Sequence, residues 1–304
     1  MWTVPEGVMQ APVTPLTPDN RVDFETYEKV LDFHLRQGTS GLCVVLHVAE
    51  SLNLTIQEHK ALLEVAVKVA RGQVPVVANV SLPGTDQVID LARHAEKVGA
   101  SAVCAISPYY WPLSEEAIFD HYVALGSAIG IPFMAYNSPL GRDGLTLSPN
   151  LLVRLAEKLE NFVGLKEASF SFVYFIEARR ALQKVRADFK LLVGVEYVLP
   201  AVVLGGAGCM SVLGGVAPNL VRDLYQACVA GDYGRARQMQ DKASHLLHLF
   251  TSGYPAPIKA AMEIMGRPVG RTRMPIRWLS DEEKRRLRTE LEGLGILDQE
   301  PHGW

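Results

Sequence analysis

The sequence predicts an α/β protein, a (β/α)8 barrel carrying a C-terminal three-helix appendage. Three observations lead there. Short, apolar, β-branched runs recur eight times, and most begin roughly 30 residues after the previous one, the length of a strand plus its crossover helix. Amphipathic helical segments fill the intervals. Each run is nearly continuous in apolar residues, as strands of a parallel sheet covered on both faces are. A doubly wound open sheet is the competing architecture, but its G-x-G-x-x-G after the first strand is absent.

The runs are "GVMQAPVT" from Gly7, "GLCVVLHV" from Gly41, "VPVVANV" from Val74, "SAVCAIS" from Ser101, "PFMAYN" from Pro132, "FVGLKEAS" from Phe162, "KLLVGVE" from Lys190 and "GCMSVLG" from Gly208. Among the helices, "TIQEHKALLEVAVKVARG" carries the stripe Leu62, Val65, Ala66, Val69 and ends at Gly72. Ser114 precedes Glu115 and Glu116, an N-cap followed by acidic first-turn residues. Ser148 precedes Pro149, again a helix start. After the eighth run, "DYGRARQMQDKASHLLHLF", "PAPIKAAMEIMG" and "SDEEKRRLRTELEGLG" read as three helices. The expected organisation is a barrel over 1–225 and a helical extension over 226–304, packed as one unit without a low-complexity linker.

Composition narrows the function classes. The chain has 304 residues, 48% hydrophobic and 21% charged, with a formal net charge of -3. No basic footprint points to nucleic acid or to an anionic membrane surface. Val198 to Val221 is uncharged and long enough to span a bilayer, but its glycines, Pro200 and Pro218 favour a helix followed by a buried strand. The N-terminus shows no basic, apolar leader. Cys43, Cys104, Cys209 and Cys228 form no C-x-x-C pair and read as small buried hydrophobes of a reducing, cytoplasmic compartment.

Lys166 stands out inside "FVGLKEAS". Alternation places Phe162, Gly164, Lys166 and Ala168 on one face, with Val163, Leu165 and Glu167 on the other. The Gly164 face then points into the barrel, near the strand's C-terminal end, where barrel chemistry sits. Burial is expected to lower the pKa of such a lysine and make it a Schiff-base nucleophile. Spacing equally allows a lysine that reaches the rim or pairs with Glu167. Tyr136, of matching parity at the end of the preceding run, is either a proton shuttle for a carbinolamine or a core tyrosine.

These residues carry a resemblance. "APVTPLTPDNRVD", "SPYYW" at Ser107 to Trp111, "YNSP" from Tyr136, "GLKEAS" around Lys166, "GGAGCMSV" from Gly205 and "PAPIKAAMEIMG" together resemble the dihydrodipicolinate synthase / N-acetylneuraminate lyase family over nearly the full chain. The resemblance implies a barrel with C-terminal helices, usually a homotetramer, that binds pyruvate or another 2-oxo acid as a lysine imine with no metal and no other cofactor. It makes Lys166 the Schiff-base lysine and Tyr136 the proton relay. Tyr110 matches the tyrosine that reaches a neighbouring subunit's site, with Tyr109 as its stacking partner. Gly194 and Met210 match pocket-lining positions.

Departures matter as much. Where the family carries Gly-Thr-Thr-Gly-Glu, this chain has "LHVAES". His47 and Val48 replace the two threonines, and the relay hydroxyl is lost. The resemblance leaves Val48 beside the substrate carboxylate, and His47 as either a substitute acid/base or a hydrogen-bonding wall. "YNSPLGRDG" contains one extra residue, so Arg142 either reaches the substrate's distal carboxylate or stays in a solvated loop. The stretch around Pro83 and Gln87 lacks the residues of lysine-inhibited synthases. Glycine-rich "LGGAGCMSVLGG" holds no cation for phosphate, and His245 with His248 lacks further metal-ligand spacing, so it reads as a helix face.

The resulting expectation is a lyase acting on pyruvate or a sugar-derived 2-oxo acid, by aldol cleavage, condensation or dehydration through an iminium on Lys166. The alternatives are a genuine 4-hydroxy-tetrahydrodipicolinate synthase and a degenerate barrel that binds 2-oxo acids without turnover.

Overall fold

The computed structural model describes residues 4–138 and 147–304. Eight parallel strands close into a barrel in chain order: β1 (Gly7–Gln10), β2 (Gly41–Val44), β3 (Val76–Asn79), β4 (Ala102–Ile106), β5 (Phe133–Asn137), β6 (Phe162–Glu167), β7 (Lys190–Val193) and β8 (Gly208–Ser211). All eight predicted runs contain these strands. Closure brings β8 against β1, with Gly7 opposite Gly208. A Cβ on Gly208, at φ 141°, would lie 1.9 Å from the Gly7 carbonyl oxygen, so only glycine permits this approach.

The barrel helices are α1 (Phe24–Arg36), α2 (Ile56–Ala70), α3 (Thr85–Val98), α4 (Glu115–Ser127), α5 (Pro149–Lys158), α6 (Phe172–Leu182), α7 (Val198–Val203) and α8 (Pro218–Val229). Their starts follow local chemistry. Ser114 Oγ accepts from the Ala117 amide, and Ser148 Oγ from the Leu151 amide with Pro149 next in line. Thr55 and Glu58 form a reciprocal capping box at α2. The uncharged stretch from Val198 resolves into α7, β8 and the start of α8, and no helix among the described residues is long and apolar enough to cross a membrane.

α8 runs through residues 225 and 226, and the chain leaves the barrel after it. The appendage consists of α9 (Tyr233–Thr251), α10 (Ala256–Ile264) and α11 (Asp281–Gly293), followed by one further turn, α12 (Ile296–Gln299). Leu246, Phe250, Ile258, Met262 and Leu291 join the same buried cluster as the barrel strands.

The tail is locked by Arg267, which is fully buried. Its guanidinium lies 4.3 Å from the Phe33 ring centre and donates to the carbonyls of Gly215, Pro301 and Gly303. Burial, then the Arg267 charge, pushes neighbouring His34 down to about 3. A histidine titrating lower folded than unfolded adds nothing above pH 6.5; acid removes stability because the unfolded chain takes the proton first. Acidification from pH 6.5 toward 3 should therefore cost about 1.4 kcal/mol per pH unit through this group. Thermal unfolding of His34→Leu across that range should show a shallower acid loss than the wild type.

Candidate active site

Strand register assembles the site. β5 and β6 pair Tyr136 with Lys166 directly, and β4 brings Ile106 beside Tyr136. Both reactive side chains therefore leave the same face at the C-terminal end of adjacent strands. Lys166 Nζ sits 3.9 Å from the Tyr136 ring centre. The expected face is corrected at one residue. The β5–β6 register shifts between Phe133 and Met134, so Phe162 pairs with Phe133 while Gly164 pairs with Met134. Phe162 then stacks on Phe133, itself stacked on Tyr122 of α4, and leaves the barrel interior.

Lys166 is 6% exposed. Its expected depressed pKa is also corrected. Burial opposes the ammonium, but the contact and hydrogen bond with Tyr136 favour it, and the balance lies above the ordinary lysine value. Lys166 therefore rests as an ammonium, and its free amine arises only by proton transfer. Cys104 is itself pushed up to about 12 by burial, and burial also raises Cys43.

Glu167 faces away from the barrel axis with partners of its own. Its carboxylate accepts from Asn137 Nδ2 at 2.6 Å, from the Ser169 amide at 2.6 Å, from the Ser169 hydroxyl and from Tyr197. Asn137 Oδ1 in turn accepts from the Leu147 amide. These bonds fix the ends of β5 and β6, and with them the backbone that carries Tyr136 and Lys166.

The loop after β2 folds into two 3-10 turns, His47–Ala49 and Ser51–Asn53, about Glu50. Glu50 is held at φ 58°, a left-handed conformation uncommon for a non-glycine residue. Its buried carboxylate accepts from Lys259 Nζ at 3.0 Å and from the Arg273 amide at 2.8 Å. Thr14 Oγ1 donates to the Ala49 carbonyl at 2.8 Å. The first barrel loop and the appendage thus hold this turn from two sides. His47 stacks flat on Tyr254, ring centres 5.1 Å apart and planes 9° from parallel. Burial, then the Lys166 charge, pushes His47 down to about 4, so it is neutral at neutral pH.

A cavity of about 430 Å³ opens over Lys166, within the range of small-molecule sites. Lys166, Tyr136, His47, Val48, Gly194 and Met210 all line it. Tyr110 does not line it among the described residues; it is 85% exposed at φ 83°, with its ring edge-on to Trp111. Tyr109 is half-buried. Arg142 lies outside the described residues. Sequence reasoning missed Leu247, Thr251 and Tyr254, and it assigned His248 only to a helix face. The signal was present as the i, i+3, i+4, i+7 stripe Ser244, Leu247, His248, Thr251 on α9, which faces the cavity. Among the described residues no cluster of three His, Cys, Asp or Glu side chains could hold a metal ion.

Known proteins match this architecture. The model of the dihydrodipicolinate synthetase family covers residues 4–294. A 4-hydroxy-tetrahydrodipicolinate synthase of Methanopyrus kandleri is 35% identical over 297 residues, covering 97% of this chain and 98% of the relative. The enzyme of that name from Afipia carboxidovorans is 36% identical over 294 residues, covering 96% and 97%. The crystal structure of YagE, a prophage protein of the dihydrodipicolinic acid synthase family from E. coli K12 in complex with pyruvate, superposes with a TM-score of 0.91 at 26% identity, covering 96% of this chain and 99% of that one. The chain belongs to the dihydrodipicolinate synthetase family of Schiff-base-forming lyases.

Proposed function

We propose that the chain binds pyruvate or a related 2-oxo acid as an imine on Lys166 and makes or breaks a bond at the substrate's C3 or beyond. One observation carries this reading: a buried lysine stands against a tyrosine on the neighbouring strand, inside a cavity large enough for a small substrate. The resting ammonium first gives up a proton, and Tyr136 is the group in contact to receive or relay it. The free amine attacks C2, water leaves, and the iminium draws electrons from C3. The carboxylate of the substrate rests against the backbone of His47 and Val48. His47, neutral and stacked on Tyr254, serves as a hydrogen-bonding wall. The reaction uses a lysine imine in place of a metal or other cofactor. The working form in this reading is a cytoplasmic homotetramer in which Tyr110 reaches a neighbouring subunit's site, and its 85% exposure in the single chain supports that role.

The names of the relatives favour a second reading, condensation of pyruvate with aspartate semialdehyde. His47 and Val48, which occupy the positions of the family's threonines, oppose it. Incubation with pyruvate followed by borohydride and peptide mass spectrometry tests the common core. The expected result is a reduced pyruvyl adduct on Lys166. An unmodified Lys166 with pyruvate and with longer 2-oxo acids would remove the reading.

A further inference from the structure

The described cavity lining is mostly apolar apart from its reactive group. Lys166, Tyr136 and His47 supply the chemistry. The other walls include Met210, Val195, Val212, Leu247 and Phe170, from 2% exposed at Met210 to 58% at Phe170. No arginine, aspartate or glutamate occurs among the described lining residues. Two of the polar groups there bond to their own helix: Ser244 Oγ accepts from Gln240 Nε2, and the Thr251 hydroxyl donates to the His248 carbonyl.

Two further features favour a flat, apolar occupant. The parallel His47–Tyr254 pair presents a planar wall. Phe170 adopts φ 60°, a backbone conformation a bulky residue rarely takes, while its large ring stays at the cavity mouth. A polyhydroxylated tail, or a second carboxylate, would give up water here against walls whose described part is mostly apolar and offers hydroxyls and His248 but no guanidinium. An aromatic ring would gain burial against the same walls.

We infer that the substrate's group beyond the 2-oxo acid is an aromatic ring, and that the chain interconverts a 4-aryl-4-hydroxy-2-oxo acid with pyruvate and an arylaldehyde. The inference rests on the Schiff-base reading above. In the cleavage direction the Lys166 amine adds to C2 and one water leaves. The C4 hydroxyl proton departs through Tyr136 as the C3–C4 bond breaks. The electron pair of that bond converts the iminium to an enamine, and the arylaldehyde leaves. C3 then takes back one proton, and one water hydrolyses the imine to release pyruvate. No oxidant or reductant enters.

The test supplies the wild-type protein with pyruvate and, separately, benzaldehyde, aspartate semialdehyde or glyceraldehyde, and follows condensation products by mass spectrometry. The same preparation is trapped with pyruvate and borohydride. The expected result is a kcat/KM for benzaldehyde at least about tenfold above the other two, and a loss of about tenfold or more for benzaldehyde in Leu247→Asn. A pyruvyl adduct on Lys166 together with an equal or greater preference for aspartate semialdehyde or glyceraldehyde overturns the inference and leaves the Schiff-base reading standing. An adduct without product from any of the three aldehydes, or an unchanged Leu247→Asn, also overturns it. No adduct on Lys166 removes both.

Discussion

Lys166→Ala is expected to abolish turnover, with a fall in kcat on the order of 10⁵- to 10⁶-fold, the scale set by removal of a covalent nucleophile. The reason is stoichiometric as well as geometric. The imine nitrogen is the electron sink, and among the described lining residues Lys166 is the one with an amine. The same substitution removes a buried ammonium whose charge Tyr136 supports. The tyrosine then loses its cation, but the barrel loses no ladder bond, because the Lys166 backbone stays paired between Tyr136 and Leu192. Circular dichroism and thermal unfolding should therefore report a folded protein. Wild-type turnover in a folded Lys166→Ala protein would eliminate the imine mechanism outright.

The strength of that expectation reflects what local sequence can specify. Tyr136 and Lys166 were legible together because parity along two strands fixes their faces, and the register at that end is regular. Four residues before Lys166, and three before Tyr136 on the partner strand, the same reasoning fails at Phe162. A one-residue register shift is a tertiary event that alternation cannot reveal, and the aromatic stack of Phe133, Phe162 and Phe189 holds it in place. The direction of the Lys166 pKa was misread for a different reason. Burial is inferred from the apolar run, while the neighbouring Tyr136 is weighed as a proton shuttle and not as a group that favours the ammonium. The outer cavity wall was less legible still. Leu247 and Tyr254 belong to and follow α9, and only the docking of that helix over the barrel mouth brings them to Lys166.

Lys259→Met carries this dependence on distant sequence to its largest measurable consequence. Lys259 and Glu50 lie 209 positions apart, yet their side chains meet at 3.0 Å with 0% and 1% exposure. Lys259 also donates to the Arg271 carbonyl at 2.8 Å. Burial lowers the Lys259 pKa, and the Glu50 carboxylate works against that fall. Removing the ammonium leaves a buried carboxylate that still accepts from the Arg273 amide but has lost its countercharge. Breaking one side of such a pair costs about 3–5 kcal/mol, a large share of a typical domain's stability. Chemical denaturation should register that loss. Activity should fall as well, because Glu50 anchors the left-handed turn that places His47 and Val48 in the cavity. The double replacement Glu50→Gln with Lys259→Met removes both charges at once, so it should recover much of the stability lost in the single variant. Recovery of stability without recovery of kcat/KM would assign the ion pair a positioning role for the turn, beyond its contribution to the fold. A single Lys259→Met variant as stable as wild type would show instead that the turn is held by Thr14 and the Arg273 amide alone.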